Sequence, residues 1–105
     1  MLFSINSGLL EACVLALLST EDSYGYKLTQ DVKDVMSISE STLYPVLKRL
    51  QTAGFLETYD MPIDGRNRKY YRITSAGKRQ QQLYFEEWAS YKALIERIFK
   101  GAQHK

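Results

Sequence analysis

The stretch from Ser39 to Arg72 constrains the fold most, because an amphipathic helical pattern runs directly into a basic, aromatic segment with strand-like alternation. The apolar residues of its first half recur at offsets of three, four and seven, which places them on one face of a helix. They are Leu43, Val46, Leu47 and Leu50. Ser39 can cap this helix and Gly54 can end it. Pro45 removes a backbone donor, so we expect an irregular first turn or two.

The opposite face of the same helix carries short hydroxyls, an aromatic ring and cations. Its members are Ser41, Pro45, Lys48 and Thr52, flanked by Tyr44 and Arg49. In a helix that enters a major groove, hydroxyls near the N-terminus meet phosphates or base edges, and Lys or Arg neutralises the backbone. An ordinary amphipathic helix with a solvated polar face has the same pattern and is the commoner case.

A first helix is predicted near the N-terminus, where Asn6 or Ser7 can act as the cap. Its apolar stripe consists of Leu9, Leu10, Cys13, Val14, Leu17 and Leu18. Residues 1–5 are expected to form a short, loosely ordered arm. Cys13 lies in the stripe with no nearby His or Lys to lower its pKa, so we interpret it as a small buried apolar residue and not a reactive thiol.

A second helix is predicted from about Tyr24 to Met36, with Asp22 or Ser23 as its cap. Leu28, Val32 and Val35 form its apolar side. Residues 37–39 then make a short turn into the helix that begins after Ser39. The two helices and their turn constitute a helix-turn-helix, in which the second helix positions the third.

Two antiparallel strands are predicted after Gly54. Residues 55–61 and 68–74 are rich in β-branched and aromatic side chains, and Pro62, Asp64 and Gly65 separate them at a mobile tip. Cations concentrate here: Arg66, Arg68, Lys69 and Arg72. Surface hairpins often carry arginines for solubility alone, which is the alternative interpretation of this cluster. Directly after a helix-turn-helix, however, a cationic tip can lie along phosphates or enter a minor groove, and we favour that interpretation.

A long last helix is predicted from a cap at Thr74 or Ser75 to about Lys100, where Gly101 would stop it. At 1.5 Å per residue it is about 40 Å long, too long for so small a domain to cover. Its apolar residues Tyr84, Trp88, Tyr91, Ile95 and Ile98 form a heptad seam, widened by Leu83, Leu94 and Phe99. The expected partner is a second copy of the chain. His104 belongs to a polar tail.

Composition limits the remaining classes of function. The 105 residues carry a net charge of only +2, so any nucleic-acid binding must come from the local cation cluster. A single Cys and no recognisable secretory signal favour the cytoplasm. One His, no glycine-rich phosphate loop and no metal-ligand spacing make an enzyme the weakest hypothesis. No cofactor or metal is expected.

The chain resembles the PadR family of transcriptional regulators over nearly its whole length. The resemblance rests on the opening helix from Leu9 to Leu18, Ser23-Tyr24-Gly25-Tyr26, Ser41-Thr42-Leu43-Tyr44-Pro45 with Leu47, Arg49 and Leu50, and the run from Gly65-Arg66 through Arg68-Lys69-Tyr70-Tyr71 to Ile73-Thr74 and Gly77. A single C-terminal helix is similar to the smaller branch of the family, which includes multidrug-sensing repressors.

The resemblance implies a mainly α fold with a small β-wing: a winged helix-turn-helix domain over residues 1–74 and a dimerisation helix with a polar tail over residues 75–105, forming one compact unit. It implies a homodimer that binds a pseudo-palindromic operator in double-stranded DNA and represses a neighbouring transporter or stress gene. The residues expected to contact DNA are Tyr24, Lys27, Ser41, Thr42, Tyr44, Pro45, Lys48, Gly65, Arg66, Arg68 and Lys69. Whether Tyr70 or Tyr71 faces DNA stays open.

In the multidrug-sensing branch, a tryptophan on the last helix lines an apolar cavity at the dimer interface, and Trp88 matches that position. The residues expected at the dimer interface and ligand site are Leu9, Tyr84, Phe85, Trp88, Tyr91, Lys92, Ile95, Ile98 and Phe99. Two Trp88 rings could stack on a planar aromatic molecule, or Trp88 could simply pack the seam. Lys92 would disfavour cationic ligands. A second hypothesis is a protein-interaction module whose seam pairs with a different chain.

Overall fold

The computed structural model describes residues 7–103 as four helices and a three-stranded antiparallel sheet. The elements are α1 (Ser7–Thr20), β1 (Ser23–Tyr24), α2 (Gly25–Lys33), α3 (Glu40–Thr52), β2 (Leu56–Ile63), β3 (Arg66–Ile73) and α4 (Ser75–Gln103). This arrangement confirms the mainly α fold with a β-wing and one long C-terminal helix. The predictions for an N-terminal arm at residues 1–5, a cap at Asn6 and a tail at His104 concern residues outside the described part.

The hydrophobic core forms around α1, which packs against α2, α3, α4 and β3. Its buried members are Leu10, Val14, Leu15, Leu18, Leu28, Met36, Leu43, Val46, Leu47, Leu50, Leu56, Tyr71 and Ile73. The predicted stripe on α1 omitted Leu15, which is fully buried, and included Leu9 and Cys13, which are only partly buried. A single stripe describes α1 poorly because the helix has neighbours on several sides.

The second helix begins within one residue of its predicted start, but the predicted cap at Asp22 or Ser23 was wrong, because Ser23 and Tyr24 form the short strand β1. Ser23 pairs with Tyr71 and Tyr24 with Tyr70 on β3, so α2 begins only at Gly25. Its N-cap is Tyr24, whose side chain makes no capping hydrogen bond. Asp22 accepts a hydrogen bond from the Tyr59 hydroxyl at 2.7 Å instead of capping the helix.

The second helix also ends earlier than predicted, at Lys33. The backbone then turns, with the N–H groups of Val35 and Met36 both donating to the Val32 carbonyl. This turn buries Met36 and leaves Val35 62% exposed, so the predicted place of Val35 on the apolar side of α2 was wrong.

The third helix follows its sequence pattern closely. Ser39 occupies the N-cap, and its carbonyl accepts hydrogen bonds from the N–H groups of Thr42 and Leu43, both at 3.1 Å. The first turn is therefore formed, and Pro45 lies inside a continuous helix with its side chain exposed, so the expected irregularity is absent. Gly54, at φ +83°, ends the helix. The Phe55 N–H donates to the Leu50 carbonyl at 2.9 Å, which completes a Schellman motif.

The wing is longer than predicted, because a two-residue turn at Asp64 and Gly65 joins β2 to β3. Both residues have positive φ, 51° and 76°, which is the type I′ geometry that suits a tight hairpin. Pairing therefore extends to Ile63 opposite Arg66. The predicted tip had included Pro62, which lies instead within β2. The sheet order is β1-β3-β2, so β2 is an edge strand and tolerates a residue without an N–H.

The last helix is 29 residues long, about 43 Å at 1.5 Å per residue. Thr74 caps it: its hydroxyl accepts a hydrogen bond from the Gly77 N–H at 3.0 Å and donates to the Gly54 carbonyl at 2.7 Å. The helix continues through Gly101 to Gln103, so the predicted stop was wrong. Gly77 is its only buried residue, because the helix passes close to the Phe55 carbonyl there.

Gly77→Ala should destabilise the protein by roughly 1–3 kcal/mol, because the added Cβ would lie 2.7 Å from Ile73 Cγ1 and even closer to the Phe55 carbonyl oxygen. Gly101→Ala is the matched control, since nothing lies within 4 Å of its Cβ position and alanine favours a helix by up to about 1 kcal/mol. Urea unfolding at one fixed protein concentration measures both. Midpoints that shift in the same direction would contradict this account of Gly77.

Candidate nucleic-acid interface

The polar face of α3 is open to solvent over its whole length. Its predicted DNA-contacting residues are all exposed: Ser41, Thr42, Tyr44, Pro45 and Lys48. The opposite face of the same helix carries four core leucine and valine side chains, and this burial fixes which side α3 presents. The Ser41 and Thr42 hydroxyls lie in the first turn, 2.8 and 3.4 Å from Ser39 Oγ, at the end of the helix whose dipole favours phosphate.

Tyr44 lies at the centre of this face and is held from two sides. Its hydroxyl donates a hydrogen bond to Glu40 Oε2 at 2.8 Å, one helical turn earlier. Its ring covers Gly25, where a Cβ would lie 2.6 Å from the ring carbon Cε1. The hydrogen bond to Glu40, together with partial burial, raises the pKa of Tyr44, so the phenol remains a donor. The sequence pattern did not single out Glu40, although its spacing of four residues from Tyr44 is typical of side chains that interact on one face of a helix.

The outer face of the wing carries three tyrosines side by side, one from each strand. The Tyr70 ring centroid lies 5.3 Å from that of Tyr24 and 5.6 Å from that of Tyr59. Tyr71 points the other way and is only 5% exposed. Alternation along β3 therefore assigns Tyr71 to the core and Tyr70 to the outer face.

Arginines lie over both ends of this tyrosine row. The Arg68 guanidinium carbon is 4.5 Å from the Tyr24 ring centroid, and that of Arg72 is 5.0 Å from the Tyr59 ring centroid. Arg72 also donates to Glu57 at 2.8 Å, so its charge is paired within the wing. Arg66 lies exposed beside the hairpin turn, and Lys69 is exposed on β3 with its Nζ 5.6 Å from the Tyr71 ring centroid. Both are more exposed than Arg68 and, within the part of the chain that the structure describes, lack an ion pair of the kind that Arg72 makes, so they are the more available cations of the cluster.

A cleft of about 280 Å³ separates the wing from α3 and the start of α2. It brings together part of the predicted DNA-contacting set, and its lining is Tyr24, Gly25, Tyr26, Tyr44, Arg68, Lys69 and Tyr71. Gly65 and Arg66 lie apart from it, at the hairpin turn. Lys48 borders a separate depression at the C-terminal half of α3.

Lys27, predicted to approach phosphate, is engaged in two ion pairs on α2. Its Nζ lies 3.2 Å from Asp31 Oδ2 and 3.3 Å from Glu21 Oε1. Hydrogen bonds to Asp31 and Glu21 raise the pKa of Lys27. A phosphate contact from this side chain would have to replace both carboxylates, so its positive charge is less available than that of Arg66.

A second candidate site lies in the groove between α1 and α4. Two adjoining depressions of about 280 and 240 Å³ flank Trp88. Their linings include Leu9, Ala12, Cys13, Val35, Tyr84, Phe85, Glu87, Trp88 and Tyr91. Burial raises the pKa of the Cys13 thiol, in keeping with an unreactive cysteine. Lys92, Ile95, Ile98 and Phe99 lie farther along α4, outside both linings.

Comparisons with known proteins agree with this geometry. The sequence profile of the transcriptional regulator PadR-like family matches residues 14–83, which span the helix-turn-helix, the wing and the first part of α4. The chain belongs to the PadR-like family of transcriptional regulators. The predicted resemblance is thereby confirmed.

Individual relatives match over most of the chain. The chain is 30% identical to transcriptional regulator Rv3488 of Mycobacterium tuberculosis over 92 residues, which cover 87% of this chain and 83% of the relative. The crystal structure of smu.1704 from Streptococcus mutans superposes with a TM-score of 0.91 at 44% identity, covering 96% of this chain and 95% of that one. A PadR-like regulator from Bacillus cereus, BC4206, gives a TM-score of 0.81 at 30% identity, covering 88% and 92%.

PadR-like proteins are transcriptional regulators and not enzymes. Within residues 7–103, no group of three or more His, Cys, Asp or Glu side chains is arranged to hold a metal ion. None of the helices in that range is both long and apolar enough to cross a membrane.

Proposed function

We propose that this PadR-like protein is a cytoplasmic homodimeric repressor that binds a pseudo-palindromic operator beside a transporter or stress gene and is released by a planar aromatic molecule. Residues 1–74 would bind DNA and residues 75–105 would hold the dimer. One observation carries the DNA-binding part: the exposed polar face of α3 and the available cations Arg66 and Lys69 lie on elements that meet at one cleft.

Within the operator complex, α3 would enter the major groove and the wing would follow the adjacent backbone. Ser41 and Thr42 in the first turn are placed to donate to phosphate oxygens or base edges. Tyr44 is held by Glu40, so its ring meets the groove in one orientation with little ordering cost. Arg66 and Lys69 would neutralise phosphates, and Arg66 lies next to the turn that can reach the minor groove.

The exposed apolar face of α4 supports a homodimer. Large apolar side chains remain uncovered along the helix: Leu83, Phe85, Trp88, Tyr91, Leu94, Ile98 and Phe99. Charged residues such as Lys92 and Glu96 alternate with them, as expected of a helix that pairs along one side. A two-fold axis along α4 would place two recognition helices on half-sites about one DNA turn apart, which explains a pseudo-palindromic operator.

The groove around Trp88 supports ligand sensing. Each depression is smaller than the roughly 300–1,000 Å³ of an ordinary ligand pocket, but two facing grooves in a dimer would together reach that range. A ligand that prefers a different packing of the two α4 helices would change the distance between recognition helices. A coupling of about 1–3 kcal/mol would lower operator occupancy from several-fold to a hundredfold.

Replacing Arg66 and Lys69 by alanine should weaken binding to the DNA upstream of the protein's own gene. The magnitude of the slope of log K against log salt should fall by roughly one for each phosphate that the variant no longer neutralises. Replacing Arg97 and Lys100 by alanine is the matched control, because it removes one Arg and one Lys from the far end of α4. Fluorescence anisotropy with a labelled duplex measures both slopes. Equal slopes in the two variants, or binding no stronger than to random duplex, would count against the repressor and favour the protein-interaction module.

Ile98→Asp should convert the dimer to a monomer at micromolar concentration. The side chain of Ile98 is 70% exposed in the single chain, so the change would affect folding by less than about 0.5 kcal/mol unless a partner covers it. Ala93→Asp is the control, because Ala93 lies at an exposed position away from the heptad seam. Sedimentation velocity gives the masses. A wild-type monomer, or two variants that dissociate alike, would refute dimerisation through this seam.

Acridine orange, a planar cation, should quench Trp88 fluorescence saturably and bind more tightly than anthraquinone-2-sulfonate, a planar anion. The expectation that Lys92 would disfavour cationic ligands does not hold for these depressions, because Lys92 lies outside both linings while Glu87 lines one of them. Glu87→Gln should weaken acridine orange binding several-fold, and Glu96→Gln, farther along α4, should leave it unchanged. Weak, non-saturating quenching by both dyes would rule out this ligand site.

A further inference from the structure

One carboxylate, that of Glu11 on α1, joins the recognition helix to the long helix. Its Oε1 accepts a hydrogen bond from Arg49 Nε on α3 at 2.9 Å, and its Oε2 accepts one from the Tyr84 hydroxyl on α4 at 3.1 Å. Each oxygen thus serves a different helix. Burial, and the hydrogen bond to Glu11, raise the pKa of Tyr84, so its hydroxyl stays protonated and remains the donor.

The end of α3 and the start of α4 are already joined at another place. Thr74 bonds to both sides of this junction. Its N–H donates to the Phe55 carbonyl at 3.0 Å and its hydroxyl donates to the Gly54 carbonyl at 2.7 Å, while the same hydroxyl accepts from the Gly77 N–H on α4 at 3.0 Å. Gly77 packs against the same Phe55 carbonyl. This junction fixes one point of α4, and beyond it the helix packs on α1.

The link through Glu11 supplies a second fixed point. Tyr84 follows Gly77 by seven residues, about 10 Å along the axis, and two points at that separation determine the direction of the helix. Beyond Tyr84, α4 runs on to Gln103, about 39 Å from Gly77. A displacement at Tyr84 would therefore grow about fourfold at the far end of the helix, by the same rise per residue.

We propose that Glu11 is a positioning residue that sets the angle between α3 and α4 and thereby transmits changes between the Trp88 groove and the DNA-binding face. This inference rests on the proposed DNA-binding function. Tyr84 lines both depressions beside Trp88, so a molecule in the groove would touch the side chain that holds Glu11. Arg49 belongs to the recognition helix itself, two turns after Ser41.

The energetics of the link also favour a geometric role. The Arg49 side chain is 49% exposed, and ion pairs with exposed partners contribute little to stability because water and salt screen them. Such a hydrogen bond contributes little to the free energy of folding, but it is kept only over a narrow range of distances and angles, and it therefore favours one relative orientation of the helices that it joins. Both helices are packed on α1, the element that carries Glu11.

The experiment uses Trp88, the single tryptophan of the chain, as a reporter on α4. Wild-type protein is saturated with unlabelled upstream duplex, and the change in Trp88 emission is recorded, while anisotropy of a labelled duplex reports binding separately. We expect a measurable emission change in the wild type that falls at least twofold in Tyr84→Phe, which removes one hydroxyl, and equally in Glu11→Ala. The double variant should match the single variants, because one link is broken in each.

Glu57→Ala is the matched control, since it removes another Arg–Glu pair, 2.8 Å long, within the wing and without a bond to α4. It should retain the full emission change at DNA saturation. Circular dichroism melts establish that each variant is folded, and Tyr84→Phe keeps the inference testable if Glu11→Ala fails to fold.

The outcomes separate the two proposals. Specific DNA binding with no Trp88 response in the wild type, or with a response unchanged in Tyr84→Phe, overturns the positioning role of Glu11 alone. Absence of specific DNA binding in the wild-type anisotropy overturns the proposed function, and the role of Glu11 falls with it. Specific binding with a response that falls at least twofold in both variants and persists in Glu57→Ala supports both.

Discussion

The rest of the structure depends on the burial of α1 among three helices and the sheet. Val14 and Leu15 are fully excluded from water, and α2, α3, α4 and β3 each pack against this helix. At about 25 cal/mol per Å² of apolar surface removed from water, side chains of this kind are the largest favourable contribution to a fold of this size. Because the other three helices and the central strand β3 are packed on α1, their relative positions are set by contacts with it, and the polar face of α3 is presented outward as a consequence.

The surface built on that core distributes its positive charge unevenly. Lys27 and Arg72 are paired with carboxylates, and Arg68 lies over a tyrosine ring. Arg66 and Lys69 remain available. A net charge of +2 would bind nucleic acid poorly if spread over the surface, so the position of the available cations matters: Lys69 lines the cleft beside α3, and Arg66 lies at the hairpin turn on the same strand.

The long helix has a different relation to the core. Gly77 is buried against the Phe55 carbonyl and Tyr84 reaches Glu11, but most residues after Tyr84 are exposed. The extents of 61 × 28 × 20 Å reflect this projection of the helix beyond the rest of the fold. The inner part of α4 therefore belongs to the fold of one chain, and its outer part offers an apolar face to another surface. Because the helix is rigid over its length, a displacement of either part moves the other.

The sequence by itself determined those features that depend on neighbours a few residues apart. The stripe of Leu43, Val46, Leu47 and Leu50, the end of α3 at Gly54 and the hairpin after it were predicted because helical and strand periodicities and glycine conformation are local. Only the tertiary structure decided the strand at Ser23 and Tyr24, whose partners lie on β3, and the bonds that join Glu11 to Arg49 and Tyr84, 38 and 73 residues away. No periodicity encodes such pairs, because they form only when the packing of α1 brings distant segments within hydrogen-bonding distance.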